Sequence, residues 1–387
     1  MNPPDSILCP RPPATEIRRH AAGPLAWTEV DTGPTRFLHL TGHCSTAPGT
    51  SPGEVYSQLA DFLRTRDARV LFHDEFRACT ITPEWSGALA RAGIAPDWPV
   101  TWLDGHDSET GHSNGFQIEA VAGADVETIE FRGRIVGRRF EDSEATWLAL
   151  GDLRPENTDL SRADQAAEVF DAMAAILAEQ GMSFAQVVRT WLYMDRILDW
   201  YDDFNRVRTA FFEKHGIFDM LVPASTGIGC SHPAGTAMVA KLLAVQPKPG
   251  GAVREVSSPL QCPATDYRSS FSRAVEVALP SHRKLYISGT ASIEPGGLTA
   301  HTGDTAAQIE LTMKVVHAIL ESHGMEWNDT TRAVAYLRHD RDRPLLSDWL
   351  ARRGLSRLPL VVTQSDVCRD DLLYEIEIDA VRASDGS

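Results

Sequence analysis

The sequence predicts an α+β fold built from three successive units of one kind, packed as a pseudo-trimer within a single chain. Two observations carry this expectation. A short apolar strand ending in glycine occurs three times, at residues 37–42, 147–151 and 285–289, and each time a helical stretch and a closing strand follow it. Gly324-Met325, Trp327, Arg332 and Tyr336-Leu337 also match Gly181-Met182, Phe184, Arg189 and Tyr193-Met194 at constant offset, which marks an internal repeat. Strands and helices in this order predict sheets that carry their helices on one face, with candidate sites in the clefts between units.

With 387 residues, 43% of them hydrophobic, the chain is long enough for two or three cores. Residues 1–35, rich in Pro and Arg, are expected as an extension without regular structure. A degenerate first unit is expected over 36–125. Its helix runs from Glu54 to Arg64 with Val55, Leu59, Phe62 and Leu63 on the apolar face, and strands follow at 69–72 and 116–121. The second unit, 126–247, has a helix over 166–180 with Val169, Phe170, Met173, Ile176 and Leu177 on one side, stopped by Gly181. A strand over 187–194, a helix over 200–215 and a closing strand over 237–245 complete it. Residues 248–265, rich in Pro, Gly and Ser, are expected as a linker. The third unit, 266–387, adds a strand over 271–279 and has a helix over 305–322 whose Ile309, Met313, Val316 and Leu320 share a face.

A formal charge of −16 disfavours nucleic acid and anionic membranes as partners, while a local arginine cluster still allows a small anionic substrate. No apolar run reaches the roughly 18 residues of a membrane span, and the Met-Asn-Pro-Pro start lacks the pattern of a signal peptide, so a cytoplasmic protein is expected. The six cysteines form no C-x-x-C pair, which suits reduced thiols. His39, His106, His112 and His301 show no metal spacing, and neither a metal nor a cofactor is expected. Three units in one chain satisfy trimeric packing internally, which predicts a monomer or weak dimer.

The closing strand of the third unit, Tyr374 to Val381, carries the chemistry. Its alternation puts Glu375 and Glu377 on one face and Ile376 and Ile378 on the other. Two readings stand at this point: a solvated acidic surface, or a functional acid. The repeats separate the two glutamates. Gln117 and Val239 lie opposite Glu375, so that acid is peculiar to unit three, whereas Glu119 and Lys241 lie opposite Glu377 and keep a charge in every copy. A charge common to all units reads as structural or surface.

The order strand-Gly, long helix, G-M-x-aromatic, strand, Pro-Ala turn and closing acidic strand resembles the YjgF/Rid family, whose small trimeric members bind ligands between subunits. The chorismatases, a longer family sharing that fold, are more similar still. The resemblance rests on Pro223-Ala224-Ser225-Thr226-Gly227-Ile228, Ser270-Phe271-Ser272-Arg273-Ala274, Ser288-Gly289-Thr290-Ala291-Ser292-Ile293, and Asp366-Val367-Cys368-Arg369 running on to Tyr374-Glu375-Ile376-Glu377. It covers roughly residues 145–383. Where small Rid deaminases place a carboxylate-binding arginine after the Pro-Ala turn, this chain has Thr101, Ser225 and Val361, which disfavours imine hydrolysis.

The resemblance implies cleavage of chorismate, a dianion with an enolpyruvyl ether, to pyruvate and a ring product without a cofactor. Protonating the vinyl carbon needs an acid whose pKa is raised by burial. Glu375, among Tyr374, Ile376, Leu372 and Leu373, is the best placed, and the resemblance points to it as well. Cysteine at position 368 resembles the members that make 3-hydroxybenzoate, whereas Ala291 also fits formers of 3,4-dihydroxycyclohexa-1,5-diene-carboxylate. Arg273, Arg338 and Arg189 are the expected carboxylate grips, with Tyr267, Gly289, Thr290 and Ala291 as further substrate-binding positions. A Rid-type imine or enamine deaminase and a non-catalytic small-ligand binder are the alternative readings.

Overall fold

The computed structural model describes residues 15–43, 52–77, 84–91, 96–104, 115–264 and 269–384. The first unit contains β1 (Glu16–Ala22), β2 (Leu25–Asp31), β3 (Arg36–Gly42), α1 (Pro52–Arg66), β4 (Arg69–Arg77), α2 (Glu84–Arg91), β5 (Thr101–Asp104) and β6 (Gly115–Ala122). The second contains β7 (Val126–Phe131), β8 (Arg134–Glu141), β9 (Ala145–Leu153), α3 (Arg162–Glu179), β10 (Val187–Met194), α4 (Tyr201–Lys214), β11 (Ala224–Gly229) and β12 (Met238–Pro247). The third contains β13 (Ala252–Val256), β14 (Ala274–Ala278), β15 (His282–Ala291), α5 (Thr305–Ser322), β16 (Thr330–Leu337), α6 (Arg343–Arg352), β17 (Leu360–Gln364) and β18 (Tyr374–Ala383).

Each unit is one six-stranded sheet, and the strand order within the unit is the same all three times: first, second, third, sixth, fourth, fifth. All neighbours pair antiparallel except the fourth and fifth, which are parallel and joined by the unit's second helix. The predicted fold class, three Rid/YjgF-like α+β units in a pseudo-trimer, is the architecture of the chain.

Two stretches expected to lie outside the units are strands within them. Residues 16–31 form the hairpin β1–β2 on the edge of the first sheet, and Ala252–Val256, inside the expected linker, pairs with β14. Their signal is weak for a physical reason. β1, an edge strand with the sequence EIRRHAA, is exposed on nearly every residue, so it shows no buried face and no alternation.

The long helices end where their sequence says they should. The side chain of Ser161 accepts from the Asp164 amide at the start of α3, and Asp304 does the same for Ala307 at the start of α5. Both helices have eighteen residues, and each is followed by a glycine with positive φ, Gly181 at 69° and Gly324 at 65°. Each sheet packs one face on its own helices. Leu148, Phe170, Met173 and Leu242 form that layer in unit two, and Leu285, Ile309, Met313 and Ile376 form it in unit three.

The opposite faces of the three sheets meet in one shared core that includes Phe37, Phe72, Trp147, Trp191, Tyr286 and Tyr336. A chain of buried charges runs through this core. Lys241 Nζ of unit two donates to Asp74 Oδ1 of unit one at 2.6 Å, and Asp74 Oδ2 lies 3.4 Å from Arg332 Nη2 of unit three. Arg332 Nη1 reaches Glu377 Oε1 at 2.7 Å, and Glu377 Oε2 accepts from Arg189 Nη2 of unit two at 2.8 Å. Among the described residues, no helix is long and apolar enough to cross a membrane.

Truncating one member of such a chain leaves an uncompensated charge in the interior, at a cost of about 3–5 kcal/mol. Lys241→Met is therefore expected to lower the unfolding free energy by about that amount in a denaturant titration. Added salt would barely change this loss, since a buried pair is poorly screened.

Candidate active site

The alternation of β18 is obeyed over its whole length, but the acidic face does not meet solvent. Tyr374, Ile376, Ile378 and Ala380 join the helix-side core, while Glu375, Glu377 and Asp379 turn inward to where the units meet, all buried. The reading of this strand as a solvated acidic surface is thereby overturned.

Glu375 is 5% exposed, and burial, followed by the charge of Glu377, pushes its pKa up to about 8 against the opposing pull of Arg189. Its carboxyl occupies the place where a side chain at Gly289 would stand. A Cβ built on Gly289 would lie 2.0 Å from Glu375 Oε1 and 3.2 Å from Thr226 Cγ2. Gly289 sits at an irregularity in the pairing of β15 with β18, between Ile287 and Thr290. Its amide donates to Thr226 Oγ1 at 3.0 Å. The acid is thus held between β15 of its own unit and β11 of unit two.

The equivalent positions explain why one cleft alone carries this acid. In unit one Gln117 Nε2 donates to the carbonyl of Ala333 at 2.8 Å, and the Phe116 ring fills the space beside Gly42, 2.2 Å from where a Cβ would stand. In unit two the equivalent residue is Val239, part of the shared apolar core.

Cys368 lies on the segment that leads into β18, and several bonds secure that segment. Gly229 of β11 donates to the Asp366 carbonyl at 2.8 Å. Gln308 of α5 donates to the Asp371 carbonyl and accepts from the Leu373 amide, both at 2.8 Å. Arg338 donates to the Asp370 carbonyl at 3.2 Å, and its Nε lies 3.5 Å from Asp366. Burial first, then the charge of Glu375, pushes the Cys368 thiol up to about 12, opposed by Arg369 and by a hydrogen bond with Tyr201. At neutral pH it is a thiol and not a thiolate.

Beside Cys368 opens a cavity of about 970 Å³ between α4 of unit two and this segment of unit three. Tyr201, Asn205, Thr209, Ser270 and Arg369 line it. Thr209 and Ser270 share a hydrogen bond of 2.9 Å across the unit boundary.

The predicted site residues separate into groups. Glu375, Gly289 and Ala291 come together, since Glu375 stands beside Gly289 and pairs directly with Ala291 across the sheet. Cys368, close enough for the charge of Glu375 to act on its thiol, is the one of the four that lines the cavity. Thr290 is turned into the structure, its hydroxyl donating to the Ser288 carbonyl at 2.8 Å. Arg189 is fully buried on Glu377 and Thr226, with Nη2 2.7 Å from the Thr226 hydroxyl. Arg273 is buried and donates to the Cys262 carbonyl at 3.0 Å. Arg338 is engaged with the Cys368 segment. Tyr267 lies outside the described residues, as do His106 and His112.

Sequence reasoning missed Thr226, Tyr201, Asn205, Thr209 and Arg369 as site residues. Thr226 stands in the stretch 223–228, and Arg369 follows Cys368 directly. Tyr201, Asn205 and Thr209 recur every four residues, the spacing of one helix face, but no local signal shows that this face borders another unit.

The geometry defines a pseudo-trimeric protein in which Glu375, a carboxyl whose pKa burial raises, lies between units two and three, near the cavity that Cys368 borders. The family model described as chorismatase FkbO/Hyg5-like, N-terminal, matches residues 130–244. The chain is 32% identical over 316 residues to a 3-hydroxybenzoate synthase of Streptomyces hygroscopicus, covering 74% of this chain and 82% of that one. To a chorismatase of the same organism it is 29% identical over 244 residues, covering 56% of this chain and 69% of the other. A crystal structure of a chorismatase shares the fold, with a TM-score of 0.62 at 21% identity over 80% of this chain and 92% of that one. The chain belongs to the chorismatase family.

Glu375 carries a stability cost that depends on pH. A carboxyl with a folded pKa of about 8 and an ordinary unfolded value destabilises the fold progressively as pH rises between them, because the folded state holds the proton longer. Glu375→Gln is therefore expected to stabilise the protein at pH 8 by roughly 2–4 kcal/mol, and to have little effect near pH 4. Denaturant midpoints measured at the two pH values test this.

Proposed function

We propose that this protein is a chorismatase that cleaves chorismate to pyruvate and 3-hydroxybenzoate, with Glu375 as the general acid. The buried carboxyl of Glu375, pushed up to about 8, is the observation that supports this reading most directly. An acid with that pKa is protonated at neutral pH and still gives up its proton readily, the compromise that general acid catalysis requires.

Glu375 protonates the methylene carbon of the enolpyruvyl group, and positive charge develops on the ether carbon. The ring hydroxyl bonds to that carbon and returns its proton to the Glu375 carboxylate, giving a cyclic ketal. Loss of the ring proton at the ether-bearing carbon then breaks the bond between the hydroxyl-derived oxygen and the ring and aromatises it. The hemiketal left behind takes up a proton and splits at the ether oxygen into pyruvate and 3-hydroxybenzoate. The atoms of 3-hydroxybenzoate and pyruvate sum to those of chorismate, so this route consumes no water overall. The dihydroxy-diene route adds one water. Cys368, a neutral thiol at the cavity wall, favours the first route by occupying the ring side of the site and by offering a weak donor held by Tyr201. Arg369 and Arg206, both on the cavity wall, are the cations we assign to the substrate carboxylates. Arg338 and Arg189 act instead by positioning the Cys368 segment and the buried acids.

The closing of three units on one another supports a monomer or weak dimer. Free thiols at Cys230, Cys262 and Cys368 suit a cytoplasmic setting.

Pyruvate release from chorismate tests the assignment. Glu375→Gln is expected to lower kcat by about 10²–10⁴-fold, and wild-type kcat is expected to decline above about pH 8 as Glu375 loses its proton. Full activity in the variant, or none in the wild type, would sink the reading. Product analysis of Cys368→Ala tests the thiol: the 3-hydroxybenzoate share is expected to fall, and an unchanged share removes Cys368 from product control.

A further inference from the structure

Glu375 has a carboxylate neighbour that the proposed chemistry does not touch. Glu377 lies two residues along β18 on the same face, about 6.6 Å further along the strand, and is fully buried. Both of its oxygens are occupied: Oε2 accepts from Arg189 at 2.8 Å, and Oε1 takes Arg332 at 2.7 Å and the Trp191 indole at 3.2 Å. Burial alone would favour its neutral form, but Arg332, Arg189 and the Thr226 hydroxyl outweigh burial and hold it ionised.

The direction of Arg189 is decisive. Its guanidinium comes from unit two into the layer that holds both glutamates, and its bonds go to Glu377 and Thr226. A cation committed in that way is partly offset by the charge it binds, and its pull on Glu375 is smaller than the push of Glu377. We infer that Glu377 is a positioning residue of the proposed reaction: by drawing Arg189 to itself and remaining an anion, it keeps Glu375 in the protonated, donating form. This rests on the assignment of Glu375 as the acid.

The repeats supply an independent argument. The pairs equivalent to Glu375 and Glu377 are Gln117 with Glu119 and Val239 with Lys241, so two acids in succession on the inward face occur in unit three alone. The cleft that keeps the acid is also the one whose neighbouring charge has the sign that holds a proton on it.

Other ionisable groups border the pair. Cys368 approaches Glu375 from the segment before β18, with Arg369 acting on Cys368, and Tyr336 of β16 pairs with Glu375 across the sheet. Around Glu377 stand Arg332, Tyr193, Tyr336, Asp379 and Cys230, besides Arg189. Burial pushes both tyrosines well above their usual range, so neither carries a charge near neutral pH.

Infrared-detected titration of the Glu375 carboxyl, identified as the band missing from Glu375→Gln, reads the effect without substrate. In Glu377→Gln the midpoint is expected to fall by about one pH unit or more, a tenfold or greater loss of proton affinity. The basic limb of kcat should move down with it. Glu377→Asp, which keeps the charge, is expected to leave the midpoint near its wild-type position even if kcat drops. A midpoint that stays or rises in Glu377→Gln overturns the inference. Should the two stranded guanidiniums prevent that variant from folding, Glu377→Gln/Arg189→Met removes a matched pair. There a smaller fall supports the inference, while no change or a rise overturns it. Wild-type protein that releases no pyruvate from chorismate would end the functional assignment, and the carboxyl titration would still decide how Glu377 acts on Glu375.

Discussion

The buried ion pairs of Glu377 with Arg189 and Arg332 are the interaction on which the rest of the structure depends. Three sheets that each bury one face on helices still have a second face to cover, and here those faces cover one another. An apolar centre alone would leave the relative rotation of the units loosely specified. A guanidinium bond between Arg189 of unit two and Glu377 of unit three tolerates no such slippage, because a displaced charge would lie unpaired in the interior. Arg189 also bonds Thr226 of β11, whose hydroxyl accepts from the Gly289 amide of β15, so the same guanidinium ties together the strands that flank Glu375.

The three clefts show how a repeated fold becomes asymmetric with few changes. The strand order is the same in all three, but the Glu375 position holds a glutamine bonded to a neighbouring carbonyl in the first, a valine in the apolar core in the second, and in the third a buried glutamate whose pKa is raised. The glycine at or near the end of the third strand shows the same contrast. In unit one a phenylalanine ring fills the space beside Gly42, whereas in unit three the acid itself stands beside Gly289.

Much of this could be read from residues in order. The three-unit plan followed from an offset that holds over Gly, Met, aromatic, Arg and Tyr positions, because equivalent packing demands equivalent side chains. Glu375 emerged from the same comparison. The hairpin β1–β2 did not, since an exposed edge strand needs no apolar alternation. The burial of the acidic face did not either: period-two alternation says that two faces differ, and is silent on whether the polar face meets water or another unit's arginine. Arg338 likewise reads from sequence as a cation at a strand end, while its partners, Asp366 and Asp370, are fixed by a loop path that spacing does not encode.

That engagement of Arg338 makes the Cys368 segment a fixed mould with one replaceable insert. Gln308, Gly229 and Arg338 hold the segment through its backbone carbonyls and amides, together with the Arg338 pairs to Asp366 and Asp370, and none of these bonds involves the side chain at 368. A single codon change there alters a side chain on the cavity wall while Glu375 keeps its register on the strand that follows. Residue 368 is therefore free to vary without rebuilding the backbone bonds that hold the segment, so the wall of the cavity can be recut one side chain at a time.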